Sequence, residues 1–176
     1  NIHKSALLPI ACLLISMYFV KSFKWAYTFW ILSILISLVA GGFLTSLFAG
    51  MGFDDRLSHL STQPEDKFSH NGFRWDFLIY SMMPILLGYY VVIKRGISNR
   101  TYLILLNTYT LANAFWVMVI RANFSNRFAY LSWFMFPIVL AYPLFKFNIW
   151  GIHQGKKASM IMLAHVAFTW FMAFVY

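Results

Sequence analysis

The sequence predicts an all-α, polytopic transmembrane bundle of about six spans with one polar loop at residues 51–75, and three observations predict it. Hydrophobic residues make up 61% of the chain, aromatic residues 20% and charged residues only 11%, against roughly 25% charged in an average globular chain. A soluble domain of 176 residues has no means of hiding that much apolar surface. Six apolar stretches, 5–23, 25–50, 75–93, 101–120, 128–147 and 158–176, approach the ~20 residues that cross a hydrocarbon core. All the acidic residues, Asp54, Asp55, Glu65, Asp66 and Asp76, lie in or beside one stretch, 51–76. Charge is expensive in hydrocarbon, so these residues mark where water is. Open β-structure is excluded, because unpaired backbone groups cannot sit in lipid. A β-barrel would alternate with a period of two in segments of about ten residues, whereas these runs are continuous.

The first run contains Pro9, which is expected to bend or end a turn near one membrane face. It also holds Cys12, the only cysteine, which rules out a disulfide framework and a thiolate metal site and leaves a small packing residue. The chain opens at Asn1 without a basic segment and small-residue cleavage site, so this run is not a signal peptide. Residues 1–176 read as a single transmembrane domain, the later part of a longer polytopic protein. The second run is long, and its Gly41-Gly42 pair marks a close approach or a kink. In the loop, Ser61-Thr62 before Pro64-Glu65-Asp66 resembles a helix start. Phe53, Leu57, Leu60 and Phe68 suit a short amphipathic piece on the interface. Arg74 and Asp76 fall at the rim of the third span, with Trp75 as an interfacial anchor.

The fourth run carries the most information. At 100° per residue, with Asn107 at zero, Thr110 falls near 300°, Asn113 near 240° and Arg121 near 320°. These residues share an arc of about 120°, so the stripe faces other helices or a wet cavity. Interhelical hydrogen bonding, about 0.6 kcal/mol per bond on average, and a substrate-lining role are both open. Pro137 and Pro143 are expected to kink the fifth span. His165 in the sixth reads first as a hydrogen-bonded structural group.

Fourteen Lys and Arg residues set the orientation and the formal charge of +9. Eight (Lys21, Lys24, Lys94, Arg95, Arg100, Lys146, Lys156, Lys157) fall in the first, third and fifth connections, and six (Lys4, Arg56, Lys67, Arg74, Arg121, Arg127) on the other side. The bias favours the first set as cytoplasmic. The acidic loop and the 121–127 connection are then extracytoplasmic, and they share a side whichever way the chain is inserted. Basic residues scattered over helix ends do not make a nucleic-acid surface.

The chain has no Gly-x-Ser-x-Gly, no HExxH and no phosphate-binding glycine loop. His59 and His70 match no strong metal spacing. What remains is arginine. Arg121 and Arg127 bracket a short connection on the side of Arg56 and Arg74, and a guanidinium binds phosphate through a planar fork. Topological anchoring with snorkelled side chains is the plain alternative.

Gly72-Phe-Arg-Trp-Asp-Phe-Leu-Ile-Tyr80 with Pro84 and Gly88-Tyr-Tyr90, and Ser125-Asn-Arg-Phe-Ala-Tyr-Leu-Ser-Trp133 with Phe136-Pro137 and Ala141-Tyr-Pro143, resemble the EpsG-type, Wzy-like bacterial exopolysaccharide and O-antigen polymerases over about residues 72–145. The resemblance implies a multi-pass glycosyltransferase of the bacterial inner membrane. Such an enzyme transfers a growing glycan from undecaprenyl diphosphate to an incoming lipid-linked repeat unit on the extracytoplasmic face, with no cofactor and no obligatory metal. It implies that Arg127 and Tyr130 match the Arg-then-Tyr pattern opening a span, and that Arg74 with Asp76 matches the motif before the third. Family members carry about twice as many spans. On this reading Arg121, Arg127, Arg74, Tyr130, Asn113 and Asn107 bind substrate. Asp76, Asp54 and His70 are candidates for the base that deprotonates the acceptor hydroxyl. The expected partners are the undecaprenyl-diphosphate-linked glycan, the bilayer and other polysaccharide export proteins. The alternatives are a transporter or flippase for lipid-linked sugars and a non-catalytic membrane subunit.

Overall fold

The structure, a computed structural model, describes residues 7–50, 73–121 and 126–175, with side chains except at 45–50, 126–127 and 175. Regular structure in these residues is entirely helical. In chain order it comprises α1 (Leu7–Tyr18), α2 (Phe23–Gly50), α3 (Trp75–Gly88) running on as a π-helical segment (Tyr89–Lys94), α4 (Arg100–Met118), α5 (Asn126–Trp133), α6 (Phe136–Lys146), a 3₁₀ turn (Gly151–His153) and α7 (Gln154–Val175). Four stretches among them, Phe23–Leu44, Trp75–Lys94, Phe128–Lys146 and Gly151–Phe174, are long and apolar enough to cross a membrane. The chain is an all-α membrane protein.

Two of the six expected spans differ from that description. α1 has 12 residues, about 18 Å of helix. The expected 5–23 run must also supply the turn into α2, which begins at Phe23, so its last residues leave the helix. Pro9 lies in the first turn of α1, where a missing backbone donor costs little. α4, with 19 residues, is the less apolar helix at the centre of the bundle. It packs against α1, α2, α3, α5 and α6, and its Tyr102, Leu106, Tyr109, Ala114, Trp116 and Val117 are fully buried. Protein rather than lipid surrounds it, which is why it tolerates two Asn and two Thr on its buried surface. α7 is the opposite case: it packs on α6, the 3₁₀ turn and Tyr80 of α3 and exposes Met160, Leu163, Trp170 and Phe174, an apolar face suited to lipid.

The anticipated irregularities resolve locally. α2 breaks at Ala40 (φ −122°, ψ 19°), directly before Gly41-Gly42. The 128–147 span is two helices rather than one kinked helix. α5 ends at Trp133, and α6 begins at Phe136 with Pro137 in its first turn, a position where proline fits a helix start. Pro143 lies inside α6.

Contacts between helices fix their directions. Tyr109 donates its hydroxyl hydrogen to the Ser81 carbonyl at 2.6 Å, and Trp133 packs on both Phe77 and Trp116, centroids 5.3 and 6.0 Å apart. α3 and α4, joined by the short 95–99 link, therefore run antiparallel, and the start of α3 shares one end of the bundle with the end of α4.

Candidate functional site

The best-defined polar group at that end is built on the start of α3. Arg74 stands immediately before the helix and Asp76 in its first turn, where a carboxylate is favoured by the helix dipole. Arg74 Nε donates to Asp76 Oδ1 at 3.1 Å and Nη2 to Oδ2 at 2.8 Å, a fork-to-carboxylate pair. The Arg74 guanidinium carbon lies 3.9 Å from the centroid of Phe77, close enough for a cation–π contact. Phe77 in turn packs edge-on to Trp133, and Tyr130 packs edge-on to Trp133 at 5.8 Å. Arg74, Asp76 and Tyr130 are thus held around one aromatic cluster. Trp75 (54% exposed) and Tyr130 (59% exposed) show their rings at its surface.

Arg121 follows the end of α4 and turns toward α2. Its Nη2 donates to the Leu38 carbonyl at 3.3 Å, in the turn before the Ala40 break, where a helix ladder is loosened. Its stem crosses Gly41 so closely that a Cβ there would lie 2.6 Å from Arg121 Cδ. The spacing of Gly41 and Arg121 thus serves one contact.

The polar stripe of α4 is buried within the bundle. Asn113 is fully buried; its Oδ1 accepts from Trp30 Nε1 at 2.8 Å, and its Nδ2 donates to Ser132 Oγ at 3.3 Å. Thr110 donates to the Leu106 carbonyl of its own helix. Asn107 Nδ2 donates to the Val20 carbonyl at 2.9 Å, toward the other end of the bundle from Arg74. Asn107 is therefore not gathered with Arg74, Asp76 and Tyr130, and Asn113 is engaged in packing α2 and α5 onto α4.

Arg127 lies in the first turn of α5; its side chain, and Asp54, His59 and His70 altogether, lie outside the described residues. Among the described residues no group of three or more His, Cys, Asp or Glu comes together. His165 stacks on Phe136 at 4.5 Å and on Tyr80 at 5.9 Å, while its buried Nδ1 has no hydrogen-bond partner among the described residues, so it is held by ring stacking and not by the hydrogen bond expected from sequence.

One arrangement escapes the sequence reading. At the end opposite Arg74, Trp150 stacks on Tyr90 at 5.9 Å and donates Nε1–H to the Tyr90 hydroxyl at 3.2 Å. Arg95 donates to the Ile149 carbonyl at 2.6 Å, tying the π-helical segment to the 3₁₀ turn. The Gly88-Tyr-Tyr90 motif is visible in sequence, but its partner 60 residues on carries no local signal. Comparison with protein-family models, with curated proteins and with solved structures finds no match.

Proposed function

We propose that this chain belongs to a bacterial inner-membrane glycosyltransferase that polymerises undecaprenyl-diphosphate-linked oligosaccharide repeat units into exopolysaccharide, capsule or O-antigen. The observation that carries the reading is the Arg74–Asp76 fork, set within the Gly72–Tyr80 motif and held at one end of the bundle with Tyr130. A diphosphate leaving group develops charge as the glycosidic bond breaks, and preorganised guanidinium groups stabilise it without a metal. Asp76, accepting from Arg74 through both oxygens, is suited to hold that guanidinium in place. Asp54 and His70 are then the better candidates to take the acceptor hydroxyl's proton. Arg127, opening α5, and Arg121 are the remaining diphosphate ligands in this proposal. Exposed Trp75 and Tyr130 offer faces for sugar rings. The loop 51–75 and the 121–127 connection face the extracytoplasmic side.

The test substitutes Arg74, Arg121 and Arg127 singly by Lys and by Ala in the full-length protein, with membrane insertion confirmed, and reads glycan chain length. Short chains with accumulated single lipid-linked repeats support the polymerase. Lys failing as Ala does indicates fork-shaped recognition rather than charge alone. Unchanged chain length in all six variants removes these residues from the proposal.

A non-catalytic membrane subunit is the second reading, and one observation favours it: the Asn113 amide bonds α2 and α5 rather than lining a cavity. Under it, the arginine variants alter abundance and leave the glycan length distribution unchanged.

A further inference from the structure

The end of α1, the residues leading into α2 and the first turns of α4 enclose a cleft of about 410 Å³. Its lining includes Lys21 and Arg100, both exposed, with Ser98 beside them and Met17 and Ile104 as apolar wall. Asn107, only 1% exposed, is its most deeply buried lining residue. Arg100, Ile104 and Asn107 are spaced four and three apart on α4, so they share one helix face. Among the described residues no acidic side chain lines the cleft, so two cations converge on it without a carboxylate from these residues between them. The positive end of α4 adds to them.

Asn107 gives the second, independent sign of a ligand. Its Nδ2 is engaged by the Val20 carbonyl, while its buried Oδ1 has no hydrogen-bond partner among the described residues. A buried acceptor left unpaired is costly, and a ligand bringing a donor would satisfy it. The cleft thus calls for an anion at the rim and a hydroxyl at depth, beside an apolar wall. Its depth in the membrane selects the source. Lys21 lies two residues before the Phe23–Leu44 span and Arg100 six residues after the Trp75–Lys94 span, the level of lipid headgroups. Val20 also borders a second, wholly apolar groove of about 430 Å³ walled by Phe29 and Phe115, which suits an acyl chain.

We infer that this cleft holds the headgroup of an anionic phospholipid of the phosphatidylglycerol type, its phosphate on Lys21 and Arg100 and its hydroxyl donating to Asn107 Oδ1. The inference does not depend on the polymerase reading.

The full-length protein, purified in mild detergent, is equilibrated with phosphatidylglycerol, phosphatidic acid or phosphatidylcholine of matched chains, and retained lipid is counted by native mass spectrometry. Phosphatidylglycerol should exceed phosphatidylcholine by about tenfold, and the double variant Lys21→Gln/Arg100→Gln should lose about that factor. Lys156→Gln/Lys157→Gln, removing equal charge outside the cleft, should lose less than about twofold. Asn107→Leu should erase any preference for phosphatidylglycerol over phosphatidic acid, which lacks the headgroup hydroxyl. Equal loss in the two double variants would mean general charge attraction and overturn the site. Displacement of the lipid by an equal concentration of soluble glycerol phosphate would overturn the lipid source. Because Lys21 and Arg100 are exposed, their double variant decides the matter even if Asn107→Leu fails to fold.

Discussion

Trp30 Nε1 donates to Asn113 Oδ1 across a separation of 83 residues, and the same separation recurs where Arg121 reaches the Leu38 carbonyl. α2 and α4 therefore run parallel, and the residue just past the end of α4 keeps the same offset eight residues on, about 12 Å along α2. The lower contact is closed off from solvent and the upper one is exposed, so the two differ in what they contribute.

The buried contact should carry measurable coupling. Asn113→Leu leaves both the Trp30 N–H and Ser132 without that partner. A buried donor left unpaired costs about 1–3 kcal/mol in soluble proteins, but interhelical bonds in membranes average about 0.6 and reach about 1.7 kcal/mol. We expect a loss of about 1–2 kcal/mol for Asn113→Leu, within those bounds. In a double-mutant cycle with Trp30→Phe, the coupling should be about 0.5–1.5 kcal/mol. Reversible unfolding in mixed micelles measures it. Strict additivity would show that the bond holds nothing.

The exposed contact should instead separate function from stability. A methyl at Gly41 must displace Arg121 Cδ and Nε, yet these belong to a flexible, exposed side chain that can swing away. Gly41→Ala should thus change stability by less than about 1 kcal/mol, helped by the entropy that alanine saves in a helix. If Arg121 serves the diphosphate from its place over α2, Gly41→Ala should shorten the glycan as Arg121→Ala does. Gly42→Ala, where a Cβ meets nothing within 4 Å among the described residues, should leave the Arg121 stem in place and the glycan less affected. Matching glycan lengths for Gly41→Ala and Gly42→Ala would remove the positional role of Arg121.

The α4 stripe and the Gly41-Gly42 irregularity are legible in sequence because both are written in local spacing: polar residues at helical period on one face, and paired glycines inside a long apolar run. The short α1 is not legible, since an unbroken apolar run does not mark where the helix stops and the turn into α2 begins. The shared face of Arg100 and Asn107 is legible from their spacing, but its meaning is not, because Lys21 arrives from a different connection. The Arg74–Asp76 proximity is local, whereas the Trp133 cluster that places Tyr130 beside it depends on how α5 meets α3 and α4.

The Arg74–Asp76 pair offers a sharper test of the proposed chemistry. Its side chains are 18% and 29% exposed, a part-buried pair that lies between an exposed pair, at about 0–1 kcal/mol, and a sealed one, whose breaking costs about 3–5 kcal/mol. Asp76→Asn, which keeps one acceptor oxygen, should therefore lower stability by about 1–2 kcal/mol. If Asp76 holds Arg74 for the diphosphate, the same change should shorten the glycan while abundance in the membrane is maintained. A fall in glycan length that merely tracks abundance would assign the pair to folding. Wild-type glycan from both Asp76→Asn and Arg74→Ala would take this end of the bundle out of the mechanism.

The crossing of α3 and α4 rests on Gly88. A Cβ there would lie 2.5 Å from Leu106 Cδ1 and 3.1 Å from its Cγ, and Leu106 is fully buried, so it has little room to turn aside. Small residues at such points let helix backbones approach closely in membranes. Gly88→Ala should cost about 1–3 kcal/mol through overpacking. Leu106→Val alone, a change resembling Ile→Val in the bulk it removes, should cost about 0.5–1.5 kcal/mol. Combined, the shorter valine makes room for the new methyl, so the double variant should lose clearly less than the sum of the two. Unfolding in mixed micelles gives all three values. A double variant equal to the sum would mean that Gly88 is small for some reason other than Leu106, and that the two helices do not meet there as closely as the geometry requires.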